Sequence, residues 1–269
     1  MTSTSIAFDR ARAEGRAALV GYLPAGFPDV EGSIAALRTM VEAGCDVIEI
    51  GLPYSDPVMD GPTIQAAAQQ ALDGGVRTRD VLRTVEAVAA TGVPTLVMTY
   101  WNPIERYGVE RFAQDLANAG GAGLITPDLT PDFAPEWVAA ADERDLDKVF
   151  LVAPSSTDER IALTTSACRG FVYATAVMGV TGARTTTSDL AGPLVARTKA
   201  TTDLPVGVGL GVSTGAQAAE VASYADGVIV GSAFVRALQE HPDDRDAGLA
   251  ALRTLTADLA AGVAGAVRA

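Results

Sequence analysis

Eight short apolar runs recur along the chain, separated by stretches of helical length. They are ALVGYL (18–23), DVIEIGL (46–52), TLVMTY (95–100), GLIT (123–126), VFLVA (149–153), GFVYATA (170–176), VGVGL (206–210) and DGVIVGS (226–232). Each has strand length and β-branched or aromatic character, and most are bounded by Gly or Pro. Between them SIAALRTMVEAG (33–44), VERFAQDLANAG (109–120) and AQAAEVASYA (216–225) keep apolar residues mainly at i, i+3 and i+4. TRDVLRTVEAVAATG (78–92) reads as another helix, with Thr78 as its N-cap. Strands alternating with helices in 269 residues predict an α/β fold, a (β/α)8 TIM barrel, as one domain over residues 1–269. An open doubly wound sheet is the competing architecture, and the count of eight favours closure. A leading segment, SIAFDRARAEG (5–15), predicts an extra N-terminal helix that plugs the bottom of the barrel.

Charge narrows the partners. Lys and Arg total 20 against 33 Asp and Glu, a net charge of −13 spread along the chain. Such a surface repels phosphate backbones and anionic lipid, so nucleic acid and membrane are not expected as partners. No basic-then-apolar leader opens the chain and no run of 18 apolar residues occurs, so a soluble cytoplasmic protein is expected. Cys45 and Cys168 lie in or beside apolar segments; buried free thiols are the expectation, with a disulfide left open.

In a barrel of this kind the chemistry collects at the carboxyl ends of the strands. The second run reads Val47-Ile48-Glu49-Ile50-Gly51. Side chains alternate, so Val47, Glu49 and Gly51 share one face and the two isoleucines take the helix-facing side. Glu49 then points into the barrel near its mouth. An unpaired carboxylate there costs several kcal/mol or shifts its pKa. The alternatives are an ion pair with an arginine or an acid–base group with a raised pKa. The loop PYSDPVMDGP follows, restrained by Pro53, Pro57 and Pro62. Asp56 and Asp60 each suit a turn, but Asp60 beside an inward Glu49 also suits a second catalytic role. Near the end of the chain, Gly209 and Gly211 precede a helix, and Gly231 and Ser232 open another. Backbone N–H groups at such helix starts hold phosphate without lysine or arginine. MGVTGARTTTSDL (178–190) reads as a mobile lid or as a disordered surface loop.

What the chain lacks restricts the chemistry further. Its two lysines are Lys148, just before the fifth run, and Lys199, in a helical stretch. Neither is positioned for a Schiff base. The single histidine, His241, and the two cysteines give no zinc set; a carboxylate-only Mg²⁺ site stays open but has no clear ligand set, and no metal is expected. An enzyme built this way works on a phosphorylated molecule with carboxylates alone, and the electron sink belongs to the substrate.

EIGLPYSDPVMDGPTIQ resembles the signature of the tryptophan synthase α subunit family. The likeness extends over nearly the whole chain, through Tyr22 with PAGFPD, TYWNP (99–103), MGVTG (178–182), GLGVS (209–213) and VGSAFV. The resemblance implies a (β/α)8 barrel that cleaves indole-3-glycerol phosphate to indole and glyceraldehyde 3-phosphate by a retro-aldol reaction, with no cofactor of its own. It implies Glu49 as the general acid–base and Asp60 as the carboxylate holding the indole N–H. It also implies Tyr22, Tyr100 and Leu210 as walls around the indole, and Tyr173 and Thr181 as pocket and lid positions. Gly182, Gly211, Gly231 and Ser232 correspond to the phosphate cradle. The family assembles as α2β2, with pyridoxal phosphate on the β subunit, and Asp56, Pro57 and Asn102 correspond to the docking edge. Ala176-Val177-Met178 departs from the Ser-Arg pair often found before the lid motif, which leaves lid closure open. Two other readings compete: a free-standing lyase without a β partner, and a non-catalytic barrel that binds a phosphorylated ligand. A pure binding module has no use for an inward acid that costs folding energy. The indole-glycerol phosphate synthases call for a strand-end lysine that this chain lacks.

Overall fold

The computed structural model describes residues 3–175 and 190–267. Its strands are β1 (Ala18–Pro24), β2 (Val47–Gly51), β3 (Thr95–Met98), β4 (Gly123–Ile125), β5 (Asp147–Val149), β6 (Leu151–Val152), β7 (Val172–Thr175), β8 (Val206–Gly209) and β9 (Gly227–Val230). All neighbours pair in parallel, in the order β5-β4-β3-β2-β1-β9-β8-β7-β6. The two ends of that order, β5 and β6, are separated in the chain by Phe150 alone. The sheet therefore closes on itself, as a barrel of eight staves in which the fifth is divided. β5 pairs with β4 and β6 with β7, and the Phe150 carbonyl accepts from Tyr173 N at 3.2 Å. The strand expected over 149–153 thus begins two residues earlier and changes partner at Phe150. Lys148 lies inside it, not before it, and pairs with Asp142.

The helices are α1 (Thr4–Ala13), α2 (Val30–Glu42), α3 (Pro62–Asp73), α4 (Thr78–Ala89), α5 (Trp101–Tyr107), α6 (Val109–Asn118), α7 (Pro135–Asp142), α8 (Asp158–Ala167), α9 (Ala191–Lys199), α10 (Gly215–Ala222), α11 (Ser232–Gln239) and α12 (Arg245–Gly265). Helix α2 starts three residues before the apolar pattern because Asp29 caps it, accepting from Gly32 N at 2.7 Å. Thr78 is the first residue of α4 and not its cap. The N-cap is Arg77, whose backbone N–H donates to Asp80 at 2.9 Å. Pro62 does more than restrain its loop: it occupies the first turn of α3, where its missing N–H costs nothing. Helix α12 is long and apolar enough to cross a membrane by composition alone, but it packs along α10, α11 and α2 and buries Leu252, Leu259 and Val263.

Two apolar clusters fill the molecule. One lies between the sheet and the helices and includes Ile48, Ile50, Leu37 and Phe112. The other runs along the barrel axis and includes Val20, Val47, Leu96, Ile125, Val149 and Phe171. Helix α1 closes its lower end: Phe8 is buried and stacks on Phe171 with ring centroids 5.1 Å apart. Asp147, fully buried, fixes α1 there by accepting from Thr4 N at 2.7 Å and from Thr4 Oγ1 at 2.6 Å.

Candidate active site

Strand β2 sorts its side chains as alternation requires. Val47 belongs to the axial cluster, and Ile48 and Ile50 to the outer one. Glu49 faces the axis and is fully buried, and neither carboxylate oxygen has a hydrogen-bond partner among the described residues. Burial pushes its carboxyl up from 4.5 to about 8. The arginine-paired carboxylate of this region is instead Asp46, at the start of the same stave, held by Arg16 at 2.6 Å. The ion-pair alternative for Glu49 therefore has no partner among the described residues.

Glu49 opens onto a cavity of about 880 Å³, mouth included. Its register partner on β1 is Tyr22. The Tyr22 ring lies across Gly51, where a Cβ would stand 2.3 Å from its hydroxyl. Tyr173 lies across Gly209 in the same manner, with 2.5 Å left for a Cβ. These two strand-end glycines are seats for aromatic rings, a role that spacing alone does not reveal. Burial drives both phenols well above their ordinary range, and Asp60 and Glu49 add to it.

Asp60 lines the cavity from the β2–α3 loop. Its carboxyl is raised by burial, and a hydrogen bond from the Tyr100 hydroxyl opposes the rise. Leu210, Gly211, Gly231 and Ser232 line the cavity beyond the ends of β8 and β9. Gly211 has φ +71°, which favours glycine, and Gly231 precedes the first turn of α11. Among the described lining residues none is a lysine, arginine or histidine, and Gly231 with Ser232 places the start of α11 there. Met59, Ile64, Met98, Leu151 and Ile229 complete an apolar wall. Sequence reasoning did not single these out, although Met98 and Ile229, at or near strand ends, carried a usable signal.

Of the expected site residues, Glu49, Asp60, Tyr22, Tyr173, Leu210, Gly211, Gly231 and Ser232 come together around this one cavity. Tyr100 is buried beside the Asp60 loop, its hydroxyl accepting from Met59 N at 2.9 Å. Thr181 and Gly182, with Ala176-Val177-Met178 and the expected lid, lie outside the described residues. Asp56 and Asn102 are exposed and Pro57 is half-buried. Asn102 Nδ2 donates to the Tyr54 hydroxyl at 3.0 Å, and Tyr54 packs on Tyr100 at 5.5 Å, so α5 and the β2–α3 loop form one edge. Lys199 pairs with Asp226 at 3.0 Å, and neither lysine lines the cavity. Among the described residues no cluster of His, Cys, Asp and Glu is placed to hold a metal, and Cys45 and Cys168 are free thiols.

Known proteins share this arrangement over almost the full chain. The family model described as tryptophan synthase alpha chain matches residues 8–264. The tryptophan synthase alpha chain of Salinispora arenicola is 67% identical over 263 residues, covering 98% of each chain. A solved structure of Mycobacterium tuberculosis tryptophan synthase aligns with a TM-score of 0.91 at 61% identity, covering 97% of both chains. The tryptophan synthase subunit alpha of Legionella pneumophila, at 32% identity, still aligns with a TM-score of 0.86 over 98% of this chain and 99% of that one. With the barrel, the inward acid and the cavity in place, the chain belongs to the tryptophan synthase alpha chain family.

Proposed function

We propose that Glu49 is the general acid–base, and Asp60 the indole N–H anchor, of the reaction this family performs: cleavage of indole-3-glycerol phosphate to indole and glyceraldehyde 3-phosphate in tryptophan biosynthesis. The α reaction needs no cofactor; pyridoxal phosphate belongs to the β chain. The observation that carries the assignment is a fully buried glutamate, without a partner among the described residues, facing an apolar cavity that is also lined by Gly211, Gly231 and the start of α11.

The chemistry follows from that placement. A carboxyl held up to about 8 carries its proton at neutral pH and gives it to C3 of the indole. The ring becomes an iminium, and an ionised Asp60 stabilises the positive N–H. Glu49, now a carboxylate, takes the proton of the glycerol hydroxyl next to the scissile bond. That oxygen forms the aldehyde carbonyl, the C–C bond breaks, and its electron pair returns to the ring as indole. Glu49 ends protonated, as it began. Tyr22, Tyr173 and Leu210 bound the ring, and Gly211, Gly231 and Ser232 take the phosphate. Thr181 and Gly182 belong to the same reading on the strength of their motif.

Family membership implies a β chain as partner. The finer reading is an α2β2 assembly in the cytoplasm, each α chain a single domain over residues 1–269, docked through Asp56, Pro57 and Asn102. Indole release from indole-3-glycerol phosphate, measured with and without a β chain, tests the whole. Slow release that rises sharply with β supports it. Fast release indifferent to β points to a free-standing lyase, and no release in either case overturns the role of Glu49.

A further inference from the structure

Tyr22 stands on β1 as the register partner of Glu49, and it lines the cavity. Gly51 lies two residues beyond Glu49 on β2 and on the same face, so a side chain there would point toward the axis beside the acid. The Tyr22 ring occupies that place. A Cβ on Gly51 would stand 2.8 Å from Cε2 and 2.7 Å from Cζ of the ring, and closer still to its hydroxyl. On its other side the ring meets Gly231, beyond the end of β9, the second strand that pairs with β1. A Cβ on Gly231 would stand 3.1 Å from Cδ1 of Tyr22. Neither glycine has a positive φ, and that of Gly231 is −131°. A left-handed backbone is therefore not what places glycine at either position. Both neighbours of β1 give up side-chain space to one aromatic ring.

We propose that Gly51 is a positioning residue for Tyr22: with no side chain of its own it lets the ring lie across the end of β2, and so fixes the width of the cavity beside Glu49. This rests on the reading, given above, that the cavity takes indole-3-glycerol phosphate. Gly51 acts through the ring and not on the ligand. A ring displaced from β2 moves toward Gly231 or into the cavity, and either movement takes space from a planar bicyclic ligand and its phosphate. Glu49 itself is held by the backbone of β2, which is paired on both sides with β1 and β3. Displacement of the ring is therefore expected to weaken binding more than turnover.

A cycle of Gly51→Ala and Tyr22→Leu, assayed in the full chain with the β chain present, tests this. Leucine lacks the Cε2, Cζ and hydroxyl that a Cβ at position 51 would meet. In Gly51→Ala the substrate has to push the ring back against the added methyl, an overpacked arrangement. KM for indole-3-glycerol phosphate is expected to rise about tenfold, roughly 1.4 kcal/mol, with kcat within about threefold of the parent. Tyr22→Leu alone is expected to raise KM about threefold through lost apolar contact. Adding Gly51→Ala to Tyr22→Leu is expected to change KM by less than about twofold. A glycine with a merely structural role would lower the urea midpoint and leave KM in place. No rise in KM on Gly51→Ala, or the same rise in both backgrounds, overturns the proposal. If Gly51→Ala does not fold, the double variant decides: it has to fold and match the KM of Tyr22→Leu, and failure in either overturns the proposal. An unchanged KM in Tyr22→Leu alone removes the reading of Tyr22 as a wall of the substrate site. A raised KM in Tyr22→Leu, with Gly51→Ala acting equally in both backgrounds, overturns the positioning alone.

Discussion

Glu49 is folded against its own solvation, and that conflict has two measurable consequences. Glu49→Gln keeps shape and burial but has no proton to give, so turnover is expected to fall at least about 10²-fold with folding preserved; steady-state indole release and circular dichroism check this together. The second consequence is in stability. Between 4.5 and about 8 the folded chain holds a proton on Glu49 that the unfolded chain has released. Folding takes up that proton, so stability falls as pH rises through this window, by up to about 1.4 kcal/mol per pH unit. Glutamine has no such dependence. The urea midpoint of Glu49→Gln relative to the parent is therefore expected to rise between pH 5 and about pH 8 and then level off; a constant difference would show that Glu49 is not buried as an acid. The inward direction of Glu49 was legible in the sequence because strand alternation fixes it. The contact of the Tyr100 hydroxyl was not, because it meets a turn 41 residues earlier in the chain, and no local pattern encodes that meeting.

At the scale of elements, the site is a set of strand ends made narrow by glycine. The alternation of runs and helical stretches located the strands, but three details depended on pairing. The fifth stave divides at Phe150 because its halves bond to different neighbours. Helix α3 hid behind Pro62, which reads equally as loop restraint and as helix start. Gly51 and Gly209 read as small strand-end residues until the rings of Tyr22 and Tyr173 are seen across them. Gly211 was legible as a glycine-bearing turn, and its φ of +71° makes the turn a constraint on side chains. Gly211→Asp brings a carboxylate to the rim assigned to phosphate; Gly211→Asn brings the same bulk and a comparable backbone preference without charge. KM for indole-3-glycerol phosphate is expected to rise in both and about tenfold more in the aspartate variant, an extra term of roughly 1.4 kcal/mol. Equal KM values in the two would mean that phosphate sits elsewhere.

Over the whole molecule, the barrel carries its chemistry at one end and its plug at the other, with a continuous apolar column between them. Phe8 packs on Phe171, and Phe171 stands 6.5 Å from Tyr173 in the cavity wall. Leu151, Met98 and Tyr173 pack against the axial cluster and also line the cavity. The plug is therefore the floor beneath the site's own floor, but it touches none of the reacting groups, whose positions are set by the paired strands β1, β2 and β7–β9. Phe8→Ala removes a ring that is 2% exposed and is expected to cost about 3–5 kcal/mol of stability, read from urea unfolding. At low temperature, where the variant remains folded, kcat with the β chain is expected to stay within about threefold of the parent, because hydrogen-bonded strands and not α1 hold Glu49 and Tyr173. A large loss of kcat without loss of stability would show instead that the axial column transmits the position of the plug to the catalytic end, and that α1 belongs to the active site in all but distance.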